Sequence, residues 1–91
     1  MSAADAGALT PANNCTLQSI GSGVNVRRQP TTNSASLGQL QRGQRVTSPG
    51  CTFTIGQLVG PVCGRPRNDA WWEVDFAGTH GWVTADCVNV I

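Results

Sequence analysis

The sequence contains no lysine and no tyrosine, and its only aromatic residues are three tryptophans and two phenylalanines. Six arginines against five acidic residues leave a formal charge of +1, which creates no broad field to attract nucleic acid or anionic lipid. No apolar run is long enough to span a bilayer. The sequence therefore predicts neither a nucleic-acid partner nor a membrane span.

The N-terminal segment differs in composition and hydrophobic pattern from the rest of the chain. Residues 1–14, MSAADAGALTPANN, show no hydrophobic period, and we expect them to form a flexible tail or linker. They also lack the basic and then apolar pattern of a signal peptide, so either a leader was removed or the chain is not exported by that route. The remaining residues, 15–91, have room for one small domain, whose stability needs support beyond apolar burial.

From Cys15 onward, short apolar alternations separated by Gly, Pro and Asn predict an all-β fold. In GVNVR, Val24 and Val26 alternate with polar residues, as in a strand with one buried face. Several short strands with no room for a second full sheet favour a small barrel over a sandwich.

The segment WWEVDF, residues 71–76, shows the same alternation. It predicts a core-facing set of three residues, namely Trp72, Val74 and Phe76. Trp71 and Glu73 then lie on the outer face, so we expect Trp72 to contribute stability and Trp71 to contribute binding. A tight hairpin at AGTH leads into GWVTADC, where Val83 is expected to point inward and Trp82 to be outward or half-buried.

Two sequence blocks resemble the bacterial SH3 (bacterial Src-homology-3) domains. GVNVRRQPTTNSASLGQLQRGQRVT, residues 23–47, is similar to the opening of that family, and WWEVDFAGTHGWV followed by TADCV is similar to its closing hairpin and short helical turn. The resemblance covers roughly residues 16–90. It implies a partly open barrel of five to seven strands, in a family whose members usually act as non-catalytic binding modules, many of them attached to cell-wall enzymes and exported proteins.

Residues from about 48 to 70 depart from the family pattern as an insertion. Thr52 to Ile55 alternate as a strand, and Gly56-Gln57 is expected to turn the chain back into an extra hairpin flanked by Cys51 and Cys63. The fold prediction is therefore an all-β, small, partly open SH3-like barrel with this disulfide-flanked hairpin. Because the insertion is more apolar than an exposed loop, we expect it to determine what the chain binds.

The four cysteines are all separated by more than ten residues, with no close pair of the kind that zinc favours. An even number of cysteines in a short, loop-rich chain instead predicts a disulfide framework. That framework places the chain in an oxidising compartment, either extracellular or in the cell envelope.

Proximity in sequence favours a Cys51–Cys63 bridge, which leaves Cys15 to pair with Cys87. The second bridge depends on the strand arrangement. If the first and last strands run antiparallel with Cys15 near Ile91, Cys15 and Cys87 lie too far apart to bond. Cys15–Cys51 together with Cys63–Cys87 therefore remains the alternative.

Catalysis is a poor fit to the titratable residues. His80 is the only histidine and lies in a hairpin turn, while Glu73 and Asp75 lie on the solvent face of one strand. Each cysteine has a structural role in the disulfide framework, which leaves no obvious nucleophile for His80. We expect no catalytic residue, no cofactor and no metal site.

The tryptophans are the strongest functional signal in a chain so poor in aromatic residues. Trp71 either forms a flat platform for a sugar ring or peptide, or packs against the insertion as a lid on a thin core. Arg27 is expected to bond loop carbonyls, while the next arginine is freer. The candidate binding residues are Trp71, Trp82, His80, Arg28 and Glu73.

These patterns predict a monomeric, non-catalytic extracellular module that recognises a cell-wall peptide or glycan. The alternative is a protein-interaction or structural module of a larger exported protein, including one that binds proline-rich peptides. DAWWEV does resemble the paired-Trp strand of eukaryotic SH3 domains. However, the chain has no tyrosine, and Thr84 and Cys87 stand where that groove needs Pro and Tyr, so we rank this alternative lower.

Overall fold

The computed structural model describes residues 14–91, so the predicted tail lies outside the described residues except for Asn14. The described part contains eight strands and two 3-10 turns, with no α-helix. The strands are β1 (Cys15–Ser19), β2 (Val24–Arg27), β3 (Ser36–Leu40), β4 (Arg45–Ser48), β5 (Phe53–Val59), β6 (Asn68–Phe76), β7 (Thr79–Thr84) and β8 (Val88–Val90). The 3-10 turns are Pro49–Cys51 and Ala85–Cys87, and the second corresponds to the short helical turn that the family resemblance implies.

The all-β prediction is confirmed. Seven strands form an open antiparallel sheet in the order β3-β2-β7-β6-β4-β1-β8, and β5 is added to β6. Every strand except β5 supplies a side chain to one core, formed by Leu17, Val24, Val26, Leu40, Val46, Val74, Val83, Cys87 and Val88. The sheet therefore curls around a single core as a partly open barrel, and β5 raises the strand number above the five to seven that the resemblance implies. Within residues 14–91, no helix has the length and apolar character needed to cross a membrane.

The predicted strand faces are correct. Val24 and Val26 are buried in β2, and Val83 is buried in β7 while its neighbour Trp82 is half-buried. Trp72 and Phe76 are half-buried and pack against the core. Period-two alternation is enough to assign these faces because successive side chains in a strand point to opposite sides of the sheet.

β4 and β5 lie along the same edge of β6, since β7 pairs with β6 along the other edge. β4 pairs near one end of β6, where Thr47 opposes Asp75, and β5 pairs farther along, where Phe53 opposes Trp72. The 3-10 turn Pro49–Cys51 separates the two strands. The insertion thus lengthens β6 beyond the barrel, and β5 pairs with the added part of β6.

The insertion does form an extra hairpin with β6, but the predicted turn at Gly56-Gln57 is wrong. Both residues lie inside β5, which keeps one direction from Phe53 to Val59 although its pairing with β6 shifts register between Ile55 and Val59. The chain reverses later, in a tight turn where Val62 and Arg65 exchange backbone hydrogen bonds of 3.1 and 3.0 Å. Cys63 and Gly64, at its centre, have φ angles of 53° and 75°, as a two-residue type I′ turn requires.

The preferred cysteine pairing is also wrong, and the alternative is correct. Cys15 bonds Cys51, with their Cα atoms 5.1 Å apart, and Cys63 bonds Cys87, with a Cα separation of 5.3 Å. Cys51 and Cys63 lie beyond opposite ends of the seven-residue β5, which spans about 23 Å at roughly 3.3 Å per residue. β1 and β8 are antiparallel, and the Ile91 amide donates to the Thr16 carbonyl, so Cys15 lies near the end of the chain, away from Cys87. Both disulfides therefore tie the insertion to the barrel.

Candidate functional site

A cleft of about 460 Å³ lies between the barrel and the insertion. Residues 22–25 and Arg27 line one side, and residues 59–63, which follow from the end of β5, line the other. Trp71 and Thr84 also line the cleft, and they oppose each other on β6 and β7. Because β6 and β7 lie between β2 and β5 in the sheet, this pair forms the floor of the cleft.

Trp71 lies on the outer face, as predicted, but it is not an open platform, because it is only 2% exposed. Its indole N–H donates to the Gln57 carbonyl at 2.9 Å, and a Cβ built on Gly56 would lie 3.0 Å from the indole ring. β5 therefore covers the ring, which is the lid arrangement considered as the second interpretation. What remains of the ring surface contributes to the floor of the cleft.

Gln57 fastens the insertion to the loop after β2. Its side-chain oxygen accepts hydrogen bonds from the Thr31 hydroxyl at 2.7 Å and from the Thr32 amide at 2.7 Å, and its backbone amide donates to the Pro30 carbonyl at 3.0 Å. Sequence reasoning missed this role, because a single polar residue in an apolar stretch carries no sign of its partners. Hydrogen bonds at Gln57 therefore connect three parts of the molecule: the loop after β2, strand β5 and the Trp71 ring.

Three other candidate residues form a cluster beside the cleft, on the same face of the sheet as Trp71. His80 Nε2 lies 2.9 Å from Glu73 Oε1, and the rings of His80 and Trp82 meet edge to face with centroids 4.8 Å apart. Glu73 opposes Trp82 in the β6–β7 pairing. The structure thus brings Glu73, His80 and Trp82 together, although none of them lines the cleft.

Arg27 and Arg28 have different positions. Arg28 is exposed in the loop after β2 and does not line the cleft. Arg27 opposes Trp82 across the β2–β7 pair, is half-buried, and donates from Nη1 to the Ser34 carbonyl at 3.1 Å. The expected bond to a loop carbonyl is therefore present, and Arg27 also lines the cleft.

All four cysteines are in disulfides, so His80 has no free thiol to activate. Among residues 14–91 no three His, Cys, Asp or Glu side chains are grouped to hold a metal ion. The cleft offers hydrogen-bonding groups and apolar surface in a concave site, which is the usual composition of a ligand pocket.

The insertion also exposes apolar side chains. Phe53 and Ile55 are 55% and 63% exposed, and Leu58 and Val62 are exposed as well. Phe53 packs edge to face on Trp72, with ring centroids 5.8 Å apart, so one end of this surface joins the barrel. The apolar excess predicted for the insertion is therefore partly solvent-exposed.

The contact between the insertion and the loop can be tested at Gly56. A Cβ there would overlap the Pro30 carbonyl and lie 2.7 Å from Pro30 Cβ. We expect Gly56→Ala to destabilise the domain by about 1 to 3 kcal/mol, as overpacking usually does, and to increase solvent access to Trp71. Thermal unfolding and tryptophan fluorescence measure both effects. Leu58→Ala, at an exposed position of the same strand, is the control, and an unchanged Gly56→Ala protein would contradict this account of the contact.

Comparison with known proteins identifies one family. The family described as bacterial SH3 domain matches residues 22–89 of the chain. No curated protein and no solved structure matched. The matched range contains both predicted blocks and the whole insertion, and begins at the first residue that lines the cleft.

Proposed function

The chain belongs to the bacterial SH3 domain family, and on that premise we propose that it is a non-catalytic extracellular binding module that holds a cell-wall peptide or glycan in the cleft. Domains of this family generally act as binding modules. The observation that supports the proposal most directly is the cleft itself, whose walls come from the barrel on one side and from the insertion on the other.

The size and lining of the cleft suit such a ligand. Its volume of about 460 Å³ falls within the roughly 300 to 1,000 Å³ of typical small-ligand sites. Val59, Pro61 and Trp71 offer apolar contact, while Asn25 and Arg27 offer polar groups. A short peptide or one to two sugar rings presents the same mixture of apolar and hydrogen-bonding surface.

The two disulfides support an extracellular location, since such bonds persist in oxidising compartments and are rare in the cytosol. They also fix the insertion at the 3-10 turn before β5 and again at Cys63, which lines the cleft. A wall held in this way is pre-organised, and pre-organisation reduces the ordering cost of binding.

A protein-interaction module is the second candidate, and the exposed side chains of Phe53, Ile55, Leu58 and Val62 favour it. Exposed apolar surface of this kind often marks a contact with another protein. In contrast, the proline-rich alternative loses its main support, because the tryptophan that would line such a groove is buried beneath β5.

Sedimentation with purified peptidoglycan tests the proposal. We expect the wild-type protein to be retained and Ser22→Trp to be retained at least tenfold more weakly, because an indole at this exposed position on the cleft wall would fill the cleft. Thr47→Trp places the same side chain at an exposed position of β4 outside the cleft and serves as the control. Failure of the wild type to bind, or equal loss in both variants, would contradict the proposal.

A further inference from the structure

The polar lining of the cleft combines one guanidinium with neutral polar side chains. Within residues 14–91, Arg27 is the only charged residue that lines the cleft. The guanidinium has five N–H donors and no acceptor, and one donor is used by the Ser34 carbonyl. Among residues 14–91, the one ion pair joins His80 to Glu73. Within this part of the chain, Arg27 therefore has no carboxylate partner.

Asn25 and Thr84 can each supply a neutral donor, because the oxygen of each side chain already accepts at least one hydrogen bond. Asn25 Oδ1 accepts from the Ser36 hydroxyl at 3.0 Å and from Gln39 Nε2 at 3.4 Å, which leaves the amide nitrogen for the cleft. Thr84 Oγ1 accepts from the Asp86 amide at 3.4 Å, which leaves the hydroxyl hydrogen. The two side chains therefore add neutral donors to the donors of Arg27.

A guanidinium with neutral donors beside it is complementary to a ligand group that is negatively charged and only accepts hydrogen bonds. A carboxylate is such a group, and its two oxygens match the planar fork of arginine. The partial burial of Arg27 strengthens this interaction, because the surrounding medium screens the charge less than water does.

The apolar part of the cleft adjoins these donors. Val59 and Pro61 come from the insertion, and Trp71 forms the floor. Small apolar side chains next to the carboxylate would meet this surface.

We propose that the cleft recognises the free C-terminal carboxylate of a peptide that ends in small apolar residues, with Arg27 as the principal binding residue and Asn25 and Thr84 as supporting donors. This inference rests on the proposed function and narrows its ligand from a cell-wall peptide or glycan to a peptide end. Recognition then requires an unblocked end, so amidated or extended peptides bind weakly.

The test uses N-acetyl-alanyl-alanine as the free acid and as the C-terminal amide, each in the L and the D series. Titration followed by NMR at the Trp71 indole N–H gives the dissociation constants. We expect the free acid of at least one series to bind about 10- to 100-fold more tightly than its amide, the usual range for a hydrogen bond to a charged group. Equal affinity of acid and amide, or no binding of either, overturns the inference, and this comparison needs no variant.

Variants assign the effect to Arg27. Arg27→Gln should bring the affinity for the acid down to that for the amide, while Arg27→Lys keeps the charge but loses the fork and should be intermediate. Arg45→Gln removes the same charge from an exposed position of β4 and should bind as the wild type does. Unchanged discrimination in a folded Arg27→Gln or Arg27→Lys protein overturns the assignment.

Two further results separate this inference from the proposed function. Glucuronic acid presents a carboxylate on a sugar, and binding as tight as that of the peptide acid would overturn the peptide assignment. If peptidoglycan retains the protein while acid and amide bind equally, the inference fails and the proposed function stands. If peptidoglycan does not retain the protein, the proposed function fails.

Discussion

Replacing Cys63 and Cys87 together by alanine will destabilise the domain and abolish binding in the cleft. The bridge closes a chain segment with a sequence separation of 24 residues, for which chain entropy predicts a loss of about 3 to 4 kcal/mol in the free energy of unfolding. A small domain has only about 5 to 10 kcal/mol to lose. Binding should fall as well, because Cys63 lines the cleft and its bridge holds the hairpin turn against the barrel.

The Cys15–Cys51 bridge provides a matched control. Its sequence separation is 36 residues, so chain entropy predicts a similar stability loss of about 4 kcal/mol when both cysteines are replaced by alanine. It anchors the start of β5, away from the cleft-lining residues, so binding should be kept at temperatures where the variant is folded. Urea unfolding and peptidoglycan retention at low temperature measure the two effects. Peptidoglycan binding at the wild-type level by a folded Cys63→Ala/Cys87→Ala protein would show that the bridge does not shape the cleft.

The second large effect is expected at Trp71. Trp71→Ala should cost about 3 to 5 kcal/mol, because it removes a buried aromatic ring and leaves a cavity between β5 and β6. For a domain of this size that loss lowers Tm by more than about 10 °C. This result is the reverse of the one predicted from strand alternation, which assigned stability to Trp72 and binding to Trp71.

Two companion variants separate the contributions at this site. Trp72→Ala should cost less than Trp71→Ala, since Trp72 is half-buried and keeps one side toward Phe53 and solvent. Trp71→Phe keeps most of the ring but loses the hydrogen bond to the Gln57 carbonyl, with an expected cost of about 1 kcal/mol for that bond. Thermal melts of the three variants decide the order. A Trp71→Ala protein that melts within a few degrees of the wild type would contradict the burial described for this ring.

The candidate site could be predicted in part. Alternation placed Trp71, Glu73 and Trp82 on one face, and the structure brings Glu73 and Trp82 together with His80 on that face. Strand alternation could not show that Trp71 is covered, because the covering residues come from β5 and from the loop after β2. The role of each face was therefore predictable only where no other segment packed on it.

Arg28 and Gln57 illustrate the same limit. The sequence favours Arg28 for binding because it is the freer of two adjacent arginines, yet Arg27 is the one that lines the cleft. The sequence predicts a turn at Gln57, yet this residue lies within β5 and fastens that strand to Thr31 and Thr32. Neither outcome depends on the residue type or its immediate neighbours. The role of Gln57 depends on a loop 25 or more residues away in the chain. The position of Arg27 in the cleft depends on residues 59–63, which form the opposite side only when the insertion folds over the sheet.

The sequence by itself determined the features that depend on local order. The period-two alternation at Val24, Val26 and Val83 assigns strands and their buried faces, because successive side chains point to opposite sides of a strand whatever it pairs with. Only the tertiary structure decided which cysteines bond, that Trp71 is buried, and that a cleft exists. Those features depend on the register of β5 along β6 and on the path of the connection that follows it, and long-range pairing of this kind is set by the packing of the whole sheet.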